Sequence, residues 1–256
     1  MSGTGSPVPV RPIGGPTALI SYGGLRLLTD PTFDAPGEIT GVDDITLTKT
    51  APPAASPAEL GPIDAVLLSH DEHPDNLDAS GRALLADVPL TLTTRGGAER
   101  LGGTARSVRG LAPWESTEVP RPGGGAVTVT AVPALHGPDG AEEVLGEVIG
   151  FVLTGDGLPK VYVSGDNASL ELVRQVADRF GPVDTAVLFA GGARAPMFFD
   201  TTITLDSDQA AEATRILGAH HAVPVHFEGW THFTEGREEL EKAFTTAGLS
   251  ERLQLS

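Results

Sequence analysis

The sequence contains no cysteine among its 256 residues, which excludes disulfides and thiolate metal ligands. That absence is compatible with a reducing cytoplasm, where the protein is expected to reside. Basic residues are also scarce: 17 Lys and Arg stand against 34 Asp and Glu, for a formal charge of −17. Such a balance argues against a nucleic-acid partner, because phosphate binding needs basic surface. It disfavours anionic membranes for the same reason. Lysine is the rarest cation, three against 14 arginines, which with the abundant Ala, Gly and Pro reads as compositional bias, not function. No run of about 18 apolar residues is present, so no membrane span is expected. The start, "MSGTGSPVPVRP", has no charged segment followed by an apolar one. Residues 1–12 therefore read as a flexible tail and not as a secretory signal.

What is present suits a folded α/β chain. Hydrophobic content of 40% with 20% charged residues is ordinary for a globular protein, and the length can bury a sizeable core. "TALISYGGLRLLTD" (17–30) predicts a hairpin around Gly-Gly. Residues 31–62 and 95–125 read as loops. Strands are expected in "DAVLLS" (64–69), "PLTLTT" (89–94), "AVTVTAVPAL" (126–135), "EVIGFVLT" (147–154), "KVYVSG" (160–165), "VDTAVLFAGG" (183–192) and "HAVPVH" (221–226). Helical spacing marks 77–88, 168–180, 206–218 and 234–248, the last with Thr234 as its expected N-cap. One mixed α/β domain over 13–256 is the simplest reading.

The chemistry collects where those strands end. "LSHDEHPDNLD" (68–78) follows the "DAVLLS" strand directly and carries His70 and His73. His136 follows a second strand, Asp166 a third and His226 a fourth. Imidazole and carboxylate together suit zinc, iron, manganese and similar ions. A single histidine at a strand end is ordinarily a surface or hydrogen-bonded residue. Four such ends in one chain point instead to one shared site. His220 and His221 flank a strand start and are expected to do no chemistry.

In order, "LSHDEHPDNLD", "PALHGP", "VYVSGD" and "PVHFEGWTHF" resemble the motifs of the metallo-β-lactamase fold. The branch is that of metal-dependent hydrolases similar to ascorbate-6-phosphate lactonase and N-acyl phosphatidylethanolamine phospholipase D. The resemblance implies an αββα four-layer sandwich with two divalent ions at one edge of the two sheets. Zinc is the first expectation; manganese, nickel and iron also suit the donors. In the family's His-x-His-x-Asp-His motif, Asp75 matches the Asp and His73 the preceding His. The first His falls on His70 with a one-residue insertion, or on Asp71 without it. Asn76 falls where the family has a second-site His, and Glu72 is a carboxylate able to substitute as a ligand. His136 and His226 match the remaining histidines, and Asp166 the carboxylate that bridges the ions. Asp75 would hold the second ion and orient the nucleophile. His232 and Trp230, in "GWTHF", are expected beside the substrate.

The implied activity is hydrolysis of an ester, lactone or phosphodiester of a small molecule. A metal-binding domain without catalysis and a mononuclear iron dioxygenase of the same fold are the competing readings. Pocket walls are expected from 31–62, 110–125 and 193–205, with Phe33, Trp114, Met197, Phe198 and Phe199 as apolar candidates. Arg95, Arg109, Arg121 and Arg194 are the candidates for meeting a phosphate. Self-association is open.

Overall fold

The computed structural model describes residues 7–41, 45–195 and 201–255. In chain order the first half comprises β1 (Val10–Gly14), β2 (Thr17–Tyr22), β3 (Leu25–Thr29), β4 (Gly37–Thr40), β5 (Thr46–Lys49), α1 (Pro57–Leu60), β6 (Ala65–Leu67), α2 (Ala79–Leu84), β7 (Thr91–Thr93), α3 (Arg95–Leu101) and β8 (Val108–Gly110). The second half comprises β9 (Ser116–Pro120), β10 (Ala126–Pro133), α4 (Glu142–Leu145), β11 (Ile149–Thr154), β12 (Val161–Val163), α5 (Leu170–Phe180), β13 (Thr185–Phe189), α6 (Ser207–Ile216), β14 (His221–Val225) and α7 (Arg237–Thr246).

Two six-stranded sheets form, in the orders β1-β2-β3-β6-β7-β8 and β14-β13-β12-β11-β10-β9. Their strands read as continuous apolar runs because both faces of each sheet are covered. Alternate side chains go to different layers. Leu27, Leu67, Val129, Phe151, Val163 and Val187 meet between the sheets. Leu28, Val66 and Leu68 face the first outer layer with Leu60, Leu85 and Leu101. Val152, Tyr162 and Leu188 face the second, with Val173, Val176, Leu240 and Phe244 from α5 and α7. This is the four-layer αββα sandwich that the motif order implied.

Several segments differ from the sequence reading. Val10–Gly14 is a strand paired with β2, so the sheet begins inside what read as a tail. The 31–62 segment contains the β4–β5 hairpin and α1, and the 95–125 segment contains α3, β8 and β9. Helix α7 is capped by Gly236; Thr234 instead donates its hydroxyl to the Gly192 carbonyl.

The pairing pattern sets the site. Strands β3, β6, β7 and β8 are mutually parallel. So are β12, β13 and β14, and β10 shares their direction because β11 is antiparallel to both β10 and β12. A hydrogen bond of 3.2 Å from Ile149 N to Ser69 O ties the start of β11 to the end of β6. The C-terminal ends of β3, β6, β10, β12 and β14 therefore open onto one edge of the sandwich.

Candidate metal centre

Each of those ends delivers a polar side chain. β3 runs into Asp30, β6 into Ser69, His70, His73, Asp75 and Asn76, β10 into His136, β12 into Asp166, and β14 into His226. Gly165, in the left-handed region (φ 59°), turns the chain ahead of Asp166. A Cβ there would lie 2.6 Å from the Ile149 carbonyl and 2.9 Å from Ser69 Cβ, so only glycine fits. His226 is itself held at φ 58°, a conformation rare for a non-glycine residue. Its N–H donates to the Gly15 carbonyl at 2.7 Å.

Two groups of donor atoms result, each with all atoms within 4.8 Å of one another. One is His70, His73, His136 and Asp166; the other is Asp75, His226 and His232. In the first, His73 Nδ1 lies 2.9 Å from His70 Nε2 and 3.2 Å from His136 Nε2. In the second, Asp75 Oδ2 lies 3.0 Å from both His226 Nε2 and His232 Nε2. Asp166 stands between them: Oδ2 is 3.5 Å from His136 Nε2, and Oδ1 is 3.4 Å from His226 Nδ1.

The surrounding hydrogen bonds fix which ring nitrogens carry lone pairs. His136 Nδ1 must donate to the Ile203 carbonyl, 2.7 Å away, leaving Nε2 bare. Ser69 Oγ donates to Asp30 Oδ1 at 2.8 Å, so at 3.0 Å it accepts from His70 Nδ1–H and leaves His70 Nε2 bare. Outer partners of this kind orient the histidines of metal sites.

The charge states point the same way. Burial drives the His70 imidazole well below its ordinary pKa, aided by His73 and His136, and takes His136 down to about 3. Burial also lowers His226. These rings are neutral and able to donate lone pairs. Burial, then the charges of Asp75 and Asp30, push Asp166 well above the carboxylate range. Burial pulls on Asp75 too, but the His232 charge and the bonds from His226 and His232 outweigh it and hold Asp75 well below. Converging bare nitrogens beside two buried carboxylates fit a divalent cation, which would relieve both effects at once.

His70, and not Asp71, enters the first group. Asp71 turns the other way, to Arg100 Nη2 at 2.6 Å and Nε at 3.0 Å. Glu72 also pairs with Arg100 and belongs to neither group, because the α3 guanidinium draws both carboxylates toward that helix. Asn76 is adjacent: its amide lies 3.3 Å from Asp166 Oδ1 and 3.4 Å from Ser69 Oγ. His232 joins the second group, with Nε2 3.0 Å from Asp75 Oδ2, and it also lines the cavity. Trp230, 4% exposed, does not line the site's cavity; it sits against Lys49 Nζ, 5.5 Å from the ring centroid, in a neighbouring cleft. Asp30 and Ser69 were not singled out by sequence, although "LLTD" ends its strand as the other site strands do.

A cavity of about 300 Å³ opens above both groups. His73, Asp75, His136, Asp166 and His232 form its polar floor; Ile45, Leu47, Leu145, Ala193, Ala195 and Ile203 form its walls. Of the four candidate arginines, Arg194 alone lines it. Arg95 pairs with Glu115, Arg109 bonds Thr117, and Arg121 donates to the Gly23 carbonyl. Phe33 is in the core, and Trp114 packs under Arg179. Met197, Phe198 and Phe199 lie outside the described residues.

A family model described as "Beta-lactamase superfamily domain" matches residues 25–227. A UPF0173 metal-dependent hydrolase from Thermococcus onnurineus is 26% identical over 221 residues, 85% of this chain and 90% of that protein. The mitochondrial N-acyl-phosphatidylethanolamine-hydrolyzing phospholipase D of Saccharomyces cerevisiae is 25% identical over 247 residues, 90% of this chain but 50% of that protein. Among solved structures, a possible metal-dependent hydrolase from Veillonella parvula superposes with a TM-score of 0.81 at 16% identity, covering 98% of this chain and 97% of that one.

Proposed function

The chain belongs to the beta-lactamase superfamily, and from that premise we propose that it is a metal-dependent hydrolase with two divalent ions, zinc first among the candidates. The observation that carries this reading is Asp166, whose two oxygens face different donor groups. His70, His73 and His136 would hold one ion; Asp75 and His226 would hold the other; Asp166 would be shared. When bound, such ions polarise the scissile group, take up its developing charge and generate a nucleophile from water near neutral pH.

The chain's own residues do the rest. His136 and His70, fixed by Ile203 and by Ser69, keep the floor rigid. Asp75, ionised and bonded to two imidazoles, is placed to orient an attacking water by accepting its proton in a hydrogen bond. The apolar walls set hydrocarbon against the non-reacting part of a substrate. A cavity of about 300 Å³ suits a small ester, lactone or phosphodiester. The phospholipase D name of the yeast relative keeps the phosphodiester in that set.

Chelator-stripped protein is expected to lose hydrolysis across an ester and phosphodiester panel and to regain it with added zinc or manganese. Asp166→Ala should be inactive in both states. Undiminished turnover by stripped, metal-free protein would sink the proposal. One iron per chain with thiol-dependent oxygen uptake would replace it with the dioxygenase reading.

A further inference from the structure

We propose that His232 is a metal ligand of the second site, beside Asp75 and His226. The inference rests on the reading that this centre binds divalent ions.

Asn76 is committed through its NH₂ alone. The Ser69 hydroxyl proton is already committed to Asp30, so Ser69 Oγ accepts from the Asn76 amide, as Asp166 Oδ1 does when ionised. The group facing them is therefore the NH₂, and the Asn76 carbonyl oxygen is buried without a hydrogen-bond partner. The charged and imidazole donors so far assigned to the second ion are Asp75, His226 and the shared Asp166.

His232 supplies what is missing. Its Nε2 lies 3.0 Å from Asp75 Oδ2, the same oxygen that His226 Nε2 approaches at 3.0 Å. Donor atoms about 2.0–2.1 Å from a tetrahedral ion stand roughly 3.3 Å apart, so a spacing that serves as a hydrogen bond here is also close to that of a ligand set. Both rings reach Asp75 from Nε2, and their Nδ1 atoms are buried without hydrogen-bond partners, so each ring can carry its proton on Nδ1 and turn the Nε2 lone pair to a cation.

The ring is also held in place. Thr50 N donates to Gly229 O at 2.8 Å and Thr231 N to Thr48 O at 3.1 Å, joining the His232 loop to the β4–β5 hairpin. Arg194 N donates to the His232 carbonyl at 3.2 Å, and Thr234 N to Gly191 O at 3.0 Å. A loop whose backbone is secured on both sides of one histidine restricts where that side chain can reach.

The alternative role is that His232 only hydrogen-bonds Asp75. His232→Gln separates the two, since a glutamine amide can still donate to Asp75 but is a weak ligand. The measurement is ions per chain by elemental analysis after zinc loading and desalting, with circular dichroism as the folding check. Wild type is expected to hold two ions, and His232→Gln and His232→Ala one each. Two ions in folded His232→Gln would overturn the assignment and leave the hydrolase reading intact. Fewer than two in wild type would overturn the two-ion reading, and this inference with it.

Discussion

At the scale of the residue, the centre depends on a short relay of buried groups. Asp30 accepts both the N–H and the hydroxyl of Ser69, and Ser69 in turn fixes the His70 tautomer. Asp30 occupies the left-handed region (φ 29°), an uncommon conformation for a non-glycine residue at a site. Burial pushes its carboxyl up to about 8, so its environment also favours a nearby positive charge. Ser69→Ala removes the acceptor for His70 Nδ1–H without touching a donor atom of either group. Zinc affinity at the first site is expected to fall about 10–100-fold, the usual effect of losing an outer partner. Competition with a chromophoric chelator would measure it; unchanged affinity would show that the relay does not orient His70.

At the scale of the element, packing decides positions that propensity does not. Gly81 lies in α2, where alanine ordinarily gains about 1 kcal/mol over glycine. Here a Cβ would sit 1.8 Å from the Pro31 carbonyl oxygen. Gly81→Ala is therefore expected to destabilise by about 1–3 kcal/mol, the reverse of the propensity effect. Thermal unfolding would decide the sign, and a raised midpoint would mean that α2 does not sit this close to β3. The same tension explains which elements were legible. The β2–β3 hairpin and the strands ending at His70, His136, Asp166 and His226 carry dense apolar runs. β9 exposes every second residue and β4 is largely exposed, so neither carries such a run. Helix α3 contains two glycines, poor helix formers, and is fixed by the Thr94 cap and buried Leu101. β1 contains Pro12 and lies at a sheet edge, where proline is tolerated.

At the scale of the whole molecule, charge dominates. A formal charge of −17 makes the folded chain repel itself. Screening shortens from about 30 Å at 0.01 M salt to about 8 Å at 0.15 M. The unfolding temperature is thus expected to rise over that range, as differential scanning fluorimetry would report. A midpoint that stays level or falls would show that the acidic groups are locally compensated. Among the described residues no helix is long and apolar enough to cross a membrane.

By itself, the sequence determined the apolar strands of a mixed α/β fold and the polar residues that end them, and the resemblance of its motifs implied the sandwich. Strands buried on both faces need continuous apolar runs, and a polar residue at the end of such a run stands out. Only the tertiary structure decided the choice among neighbours. His70 faces the centre while Asp71 and Glu72 turn to Arg100, a residue 28 or 29 positions away. Asn76 lies against Asp166, 90 positions on, and His232 reaches Asp75 across 157. Trp230, two residues from His232, is carried into a different cleft. Within "HDEHPDN" and "GWTHF" the residues are chemically able to exchange roles. What separates them is which partner each meets across the fold, and those contacts exist only once the chain has folded.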